Sequence, residues 1–218
     1  MLVPLQVDVP MYRWPVANFA VIGVTVTVSL AAMGGAIPAP VLESMILYGW
    51  RPTGFLGYML LHGGLLHLAG NMLFLWVFGN AVCAKTGNLA YLVIYAGMGV
   101  AAAAAHLLLD GAPAIGASGA VNGVMGMFLM LYPLNNITCG YFFIVFVGTF
   151  CVSSAWMILL WLAFDLWGAF AGQDSVAYWA HIGGIAAGFA LAGLMVNRGW
   201  IRMSQTECTM LDYLRGRA

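Results

Sequence analysis

The stretch GAPAIGASGAVNGVMGMFLMLY, residues 111–132, places a serine between glycines at the start of a long apolar run. Pro113 lies just upstream of the serine, and residues 111–164 contain no charged side chain. This pattern predicts a loop followed by an apolar helix, with Ser118 near the helix N-terminus and inside the boundary of a lipid bilayer. A buried hydroxyl without a partner costs roughly 2–7 kcal/mol, so another part of the chain is expected to supply one.

The composition agrees with a membrane environment. The chain has 218 residues, of which 63% are hydrophobic and 6% are charged, whereas soluble domains carry about 25% charged residues. We therefore expect a polytopic membrane protein. A formal net charge of zero argues against nucleic acid as a partner, because backbone binding requires clustered Lys and Arg. The cysteines show no metal-ligand spacing, and no metal or cofactor is expected.

Six apolar spans are expected when about 20 residues are assigned to each crossing. They are residues 16–33, 58–82, 89–109, 116–132, 141–164 and 178–196. The predicted fold class is an all-α polytopic membrane protein, a bundle of six transmembrane helices. Residues 34–57 are predicted to form an interfacial loop with one or two short helices. The chain then divides into an N-terminal segment 1–15, a core domain 16–197 and a C-terminal tail 198–218.

Basic residues in the connections predict the orientation. An even number of spans puts both termini on one side, which then holds Arg13, Lys85 and the four arginines of the tail, while the other side holds only Arg51. Both termini are therefore predicted to be cytoplasmic, and the minimal architecture favours a bacterial inner membrane. The second, fourth and sixth spans would then begin on the outer side.

Polar side chains on those three spans are predicted to lie at similar depth. The second span carries His62, His67 and Asn71, the fourth carries Ser118, and the sixth carries His181. The pair at 67 and 71 is four residues apart, so both side chains share one helix face. We therefore expect a single polar site in the outer half of the membrane.

Glycines spaced four residues apart indicate close contact between the fourth and sixth spans. Gly119 and Gly123 form one GxxxG motif, and Gly184 and Gly188 form another. Small residues at this spacing let two helix backbones approach each other in lipid. The closest approach is expected beside the serine of the fourth span and the histidine of the sixth.

Serine and histidine in contact would form a nucleophile and its base. A serine hydroxyl is a weak nucleophile until a base takes its proton, and His181 is the candidate base for Ser118. The developing oxyanion needs donors placed in advance. The backbone N–H of Ser118 at a helix N-terminus, the Asn71 amide and a ring N–H of His67 are the candidates.

No carboxylate is expected to orient the histidine. The nearest aspartates, Asp165 and Asp174, are assigned to the loop before the sixth span, so the prediction is a serine–histidine dyad without an acidic partner. Each signal taken singly also has a simpler explanation. A serine in a membrane helix usually bonds to its own backbone, and GxxxG is mostly a packing motif.

The same residues resemble a known family, the rhomboid intramembrane serine proteases. The resemblance rests on Trp50-Arg51, the histidines and asparagine of segment 62–71, the GASG motif at 116–119 and the segment AHIGGIAAG at 180–188. It implies the following roles: nucleophile Ser118, general base His181, oxyanion-hole donors His67, Asn71 and the Ser118 amide, and supporting residues His62, Gly116 and Gly119.

The resemblance also implies a fold and an activity. The family fold is a six-helix bundle whose short fourth helix carries the serine at the bottom of a water-filled cavity. The implied reaction is hydrolysis of peptide bonds within or near transmembrane segments of other membrane proteins, and the fifth helix with residues 165–177 is the usual candidate for substrate gating. Asn122 stands where some members place an aromatic residue against the catalytic histidine.

Two other functions stay open from the sequence. A catalytically inactive relative could bind transmembrane clients, although the intact Ser118 and His181 argue against it. A small transporter or channel could use His62, His67 and Asn71 as an ion path. That function predicts polar residues along the full membrane depth and inverted repeats, whereas the polar residues here cluster in one half.

Overall fold

The computed structural model describes residues 2–143, 146–172 and 176–217. Helices dominate this part of the chain, and three strands form a small antiparallel sheet in the order β1-β2-β3. The strands are β1 (Leu2–Val7), β2 (Asn136–Phe143) and β3 (Phe146–Ser153). The helices are α1 (Val16–Met33), α2 (Ala39–Met45), α3 (Gly54–Gly57), α4 (Leu65–Phe74), α5 (Asn80–Thr86), α6 (Asn88–Leu109), α7 (Ser118–Leu131), α8 (Ser154–Phe170), α9 (Tyr178–Asn197) and α10 (Met210–Leu214).

Four helices in the described residues are long and apolar enough to cross a membrane: α1, the continuous helix Leu65–Thr86, α6 and α9. The shorter apolar helices α7 and α8 accompany them. At 1.5 Å per residue α7 is about 21 Å long, less than the ~30 Å of a hydrocarbon core. The protein is thus a multi-pass membrane protein, but helix length does not confirm the prediction of six crossings.

Helix α7 can be short because other helices surround it. Almost all of its side chains are buried, and Val124, Met127 and Phe128 are completely so. A helix in the centre of a bundle need not be as long as the bilayer is thick, since its neighbours separate it from lipid. Ser118 is the first residue of this central helix.

The helix Leu65–Thr86 is interrupted by a π-helical turn, Leu75–Gly79, between α4 and α5. The buried Asn18 side chain of α1 bonds to the backbone of this turn and donates to the Leu75 carbonyl at 3.0 Å. Asn18 also accepts from the Tyr91 hydroxyl at 2.6 Å. Gly79 makes room for this cluster, because a Cβ there would lie 2.6 Å from Asn18 Oδ1. Polar groups thereby join three helices inside the bundle.

The second span begins later than predicted. Residues 58–60 form a single 3-10 turn and α4 starts at Leu65, so His62 lies in a loop and not on a helix. The consecutive Gly63 and Gly64 explain the delay, since glycine costs about 1 kcal/mol relative to alanine in a helix interior. The preceding connection contains the short helices α2 and α3, as predicted for residues 34–57.

The prediction of a helical fifth span over residues 141–164 is wrong in its first half. Strands β2 and β3 form an antiparallel hairpin in which Asn136 pairs with Ser153, and α8 begins only at Ser154. Hydropathy does not separate an apolar strand from an apolar helix, and this run is rich in the β-branched and aromatic residues that favour strands. Because β1 also pairs with β2, the chain is mostly helical and not all-α.

Helix α8 starts at the C-terminal end of α7 and returns toward Ser118. The buried Ser154 hydroxyl donates to the carbonyl of Tyr132, the residue after α7, at 2.5 Å. From there α8 runs to Phe170 and carries Asp165 to the cavity at the opposite end of α7. The hairpin and the candidate site therefore lie at opposite ends of the central helix.

The C-terminal tail is fastened to the end of α5 by a buried ion pair. The Lys85 ammonium and the Glu207 carboxylate are 2.5 Å apart, with side chains only 5% and 4% exposed. Burial raises the pKa of Glu207, but hydrogen bonds from Lys85 and the Ser204 amide outweigh burial and hold that pKa below its usual value. The pair ties the tail to the end of the bundle away from Ser118.

Candidate functional site

A cavity of about 540 Å³ opens among helices α4, α7, α8 and α9. Apolar side chains such as Phe74, Trp161 and Phe164 form part of its wall. Its polar lining comes from six residues: His67, Asn71, Ser118, Asn122, Asp165 and His181. Four separate helices thus bring polar side chains to one opening, including the serine and the histidine of the predicted site.

The loop before Ser118 packs against the His67 ring at Gly116. Gly116 adopts φ +127°, a backbone conformation that L side chains rarely adopt. A Cβ at this position would lie 2.9 Å from Cε1 of His67 and 3.7 Å from Oγ of Ser118. Gly116 therefore allows the loop to turn and leaves space for both the imidazole and the hydroxyl.

A buried chain of hydrogen bonds also fixes the loop before Ser118. The Ser29 hydroxyl of α1 donates to the Leu60 carbonyl at 2.7 Å and lies 2.9 Å from Nδ1 of His62. Because its only hydrogen is used, Ser29 accepts from Nδ1–H, which leaves Nε2 of His62 to accept from the Ala117 amide at 3.3 Å. His62 thus supports the residue before Ser118 and does not face the cavity.

His67 and Asn71 lie one turn apart on α4, and both line the cavity. The Asn71 side chain donates one amide hydrogen to the His67 carbonyl at 3.0 Å. An amide carries two such hydrogens, so the second remains for a group bound in the cavity. The edge of the His67 ring also contacts His62, with ring centroids 5.0 Å apart.

His181 has a carboxylate partner, which corrects the prediction of a dyad without one. Its Nδ1 lies 3.0 Å from Oδ1 of Asp165. The prediction ended the fifth span at residue 164 and assigned Asp165 to a loop, whereas α8 continues to Phe170 and turns this side chain toward α9. Asp174, the other aspartate considered, lies outside the described residues.

Asn122 follows the serine by one helical turn and also lines the cavity. Its amide donates to the Ser118 carbonyl at 2.9 Å, so it bonds to its own helix. An aromatic ring nevertheless contacts the histidine. The Tyr178 ring lies edge-on to His181, with centroids 6.3 Å apart. The aromatic contact with the imidazole therefore comes from α9 itself and not from the turn after the serine.

Glycines hold α7 and α9 in backbone contact beside the cavity. A Cβ on Gly184 would overlap the Gly119 carbonyl and lie 3.1 Å from the Gly123 amide nitrogen. A Cβ on Gly188 would lie 2.7 Å from the Gly123 carbonyl carbon. The two GxxxG motifs therefore face each other. Ala180, next to His181, continues the contact, because a Cβ on Gly119 would lie 3.5 Å from its methyl group.

The arrangement has the parts needed for nucleophilic catalysis on a carbonyl. It combines a partly accessible hydroxyl at a helix N-terminus, an imidazole held at one nitrogen, and an amide with a hydrogen to donate. In the part of the chain that the structure describes, no group of three or more His, Cys, Asp or Glu side chains could hold a metal ion. The serine, the imidazole and the amide of this lining are the kinds of group that acyl transfer uses.

Sequence reasoning missed two residues of this site. Ser29 lies in an apolar helix and belongs to no motif. The sequence indicates a role for it only in that a hydroxyl in lipid needs a hydrogen-bond partner. Asp165 follows the predicted end of an apolar span by one residue. Extending that span by one turn would have placed the carboxylate on a helix.

The chain is similar in sequence to known proteins of one family. The family model described as Rhomboid domain matches residues 49–198. The chain is 32% identical over 175 residues to "Rhomboid protease GluP" of Bacillus subtilis, covering 79% of this chain and 31% of that protein. It is 29% identical over 155 residues to "Rhomboid protein 1, mitochondrial" of Saccharomyces cerevisiae, covering 65% of this chain and 41% of that protein. The chain therefore spans less than half the length of these two relatives.

Proposed function

Because the chain belongs to the rhomboid family, we propose that it is an intramembrane serine endopeptidase. It would cleave peptide bonds within or near the transmembrane segments of other membrane proteins by a Ser118–His181 pair. The observation that carries the proposal is the shared cavity. Ser118, His181, His67 and Asn71 come from three helices and line one opening, which is the set of groups that acyl transfer requires.

In the first step Oγ of Ser118 attacks the carbonyl carbon of the substrate peptide. A new C–O bond forms, the C=O π electrons move to oxygen, and the hydroxyl proton passes to Nε2 of His181. The oxyanion accepts hydrogen bonds from the Ser118 amide, the free Asn71 amide hydrogen and a ring N–H of His67. One oxyanion-hole donor typically contributes about 10²–10³ in rate, so each of these groups is worth testing.

In the second step the tetrahedral intermediate collapses. The C–N bond breaks, and His181 returns the proton to the leaving nitrogen, which leaves an acyl group on Ser118. A water molecule then attacks the acyl carbon while His181 takes one of its protons. The acyl–oxygen bond to Ser118 breaks, the serine regains a proton, and a new carboxyl terminus departs.

The size of the cavity limits which substrate segments can reach the serine. The cavity has a volume of about 540 Å³, enough for a few extended residues but not for an intact helix, whose diameter is about 10–12 Å. A helix also hides its carbonyls in hydrogen bonds, so the substrate must unwind locally. Substrates with small residues at the cleavage point and helix-weakening residues nearby are therefore expected. With both termini cytoplasmic, cleavage would occur in the outer half of the membrane, for which a bacterial inner membrane is the proposed setting.

The proposal is tested by cleavage of a single-span reporter substrate in liposomes. Wild type should cut the reporter, whereas Ser118→Ala and His181→Ala should each lower the rate by at least about 10³-fold, as expected for loss of a nucleophile or its base. Ser44→Ala is the matched control, because the Ser44 hydroxyl bonds to the Val41 carbonyl of its own helix and Ser44 does not line the cavity of Ser118. Cleavage that persists in Ser118→Ala would contradict the proposal. A wild type that binds the reporter without cutting it would favour the inactive client-binding alternative.

A further inference from the structure

The contact between Asp165 and His181 has a chemical consequence beyond the serine–histidine pair. The two side chains are partly buried, with 16% and 13% of their surface exposed, and Oδ1 of Asp165 lies 3.0 Å from Nδ1 of His181. Both residues line the cavity that contains Ser118. We infer that Asp165 is a positioning residue that fixes the tautomer and orientation of His181, so that the site works as a Ser–His–Asp triad. This inference rests on the proposed protease function.

The chemistry of the two groups decides which imidazole nitrogen carries the hydrogen. An ionised carboxylate only accepts hydrogen bonds, so Nδ1 of His181 must donate to Asp165. The neutral imidazole then has its lone pair on Nε2. That nitrogen is the one that must accept the Ser118 proton, so Asp165 selects the reactive tautomer before the substrate arrives.

The same contact helps after the proton has moved. When His181 takes the Ser118 proton it becomes an imidazolium, and the adjacent carboxylate stabilises that positive charge. Asp165 stays ionised and takes no proton itself. The charge is stabilised mainly in the transition state and intermediate, so the effect belongs to kcat and not to substrate binding.

Other groups around His181 do not replace this contact. His67 faces it from α4 and is itself ionisable, so a second positive charge there would oppose the imidazolium. Tyr178 contacts the ring from the same helix, and Ser118 of α7 lines the same cavity. Among the groups that face His181 in the described residues, only Asp165 supplies a negative charge.

The chain offers a matched control in a second histidine–aspartate pair. His106 and Asp110 lie four residues apart at the end of α6, with Nδ1 and Oδ2 3.6 Å apart. This pair does not line the cavity with Ser118. Asp110→Asn therefore removes the same charge from a similar pair and should leave the kinetics unchanged.

The test is the kcat and KM of reporter cleavage by the full chain in liposomes. Asp165→Asn should lower kcat by about 10²-fold with little change in KM, because histidine acid–base catalysis contributes about 10²–10⁴-fold. A kcat within twofold of wild type, or a loss that appears as a raised KM at unchanged kcat, would reduce the contact to helix packing and overturn the inference.

A second variant keeps the test decisive if Asp165→Asn does not fold. Asp165→Glu retains the negative charge with one extra methylene, so it should lose less kcat than the amide, again with little change in KM. A kcat lowered by about 10²-fold or more in Asp165→Glu would overturn the inference. These failures differ from failure of the proposed function, in which wild type and Asp110→Asn would not cleave the reporter at all.

Discussion

A methyl group at Gly188 should force α7 and α9 apart and thereby separate Ser118 from His181. A Cβ built on Gly188 lies against the Gly123 carbonyl, 2.7 Å from its carbon and 3.1 Å from its Cα, whereas carbon atoms in contact lie about 3.5–4.0 Å apart. Both contacts are backbone atoms that cannot rotate away. Relief therefore requires the helix backbones to separate by about 1 Å, by comparison with that contact distance.

Gly188→Ala should affect stability and activity by different amounts. Overpacking of a core costs about 1–3 kcal/mol, which at about 2–4 °C per kcal/mol for a chain of this size lowers the thermal midpoint by about 2–12 °C. Misplacing reacting groups by 1 Å costs about 10²-fold in rate. Thermal unfolding in detergent and reporter cleavage well below the midpoint measure the two effects on the same sample.

Gly193→Ala, on the same helix, is the control. A Cβ at Gly193 meets only the flexible end of Met130, at 3.1 Å from its Cε, so this variant should keep the midpoint within a few degrees and the cleavage rate within a few-fold. A Gly188→Ala protein with the midpoint and rate of wild type would show that the glycine contact does not set the distance between the reacting groups.

Three further predictions concern the support of the site and the tail. Ser29→Ala leaves Nδ1 of His62 buried without an acceptor and should cost about 1–3 kcal/mol, measured by thermal unfolding; no change would mean that the chain of hydrogen bonds is dispensable. Gly116→Ala strains a backbone at φ +127° and should lower the rate of reporter cleavage about 10²-fold. The far end of the bundle should stay intact, and a cleavage rate equal to that of wild type would contradict the prediction. Glu207→Gln leaves Lys85 unpaired and should cost about 3 kcal/mol at pH 7. Because the pKa of Glu207 is lowered by folding, this stabilisation exists above the ordinary glutamate pKa of about 4.3 and disappears as pH falls through the lowered value. The midpoints of wild type and variant should therefore converge in acid, and a constant difference would refute the assignment.

Three of the four long apolar helices in the described residues could be predicted from the sequence almost to the residue. The first span was predicted at residues 16–33 and observed at Val16–Met33, and α6 and α9 differ from their predictions by a residue at an end. Long runs of apolar residues bounded by Pro, Gly or charges leave few alternatives for a backbone in lipid. The residues proposed for catalysis also line one cavity. Their shared location could be predicted because the apolar pattern marks where each helix begins, and hence how far along that helix each polar side chain lies.

The hairpin and the acidic partner could not be predicted for a shared reason. Hydropathy counts apolar residues but does not encode the pairing of β1 with β2 or of β2 with β3, which depends on segments far apart in the chain. With the hairpin misread as helix, the fifth span ended too early and Asp165 was assigned to a loop. The position of α8 follows from tertiary contacts such as the bond from Ser154 to the Tyr132 carbonyl.

The most direct measurement is the mass of the protein after reaction with a fluorophosphonate, followed by mapping of the modified peptide. We expect one adduct per chain, located on Ser118, that fails to form in Ser118→Ala and forms far more slowly in His181→Ala. An adduct on another serine, or labelling of wild type and Ser118→Ala at equal rates, would contradict the claim that this hydroxyl is the activated nucleophile.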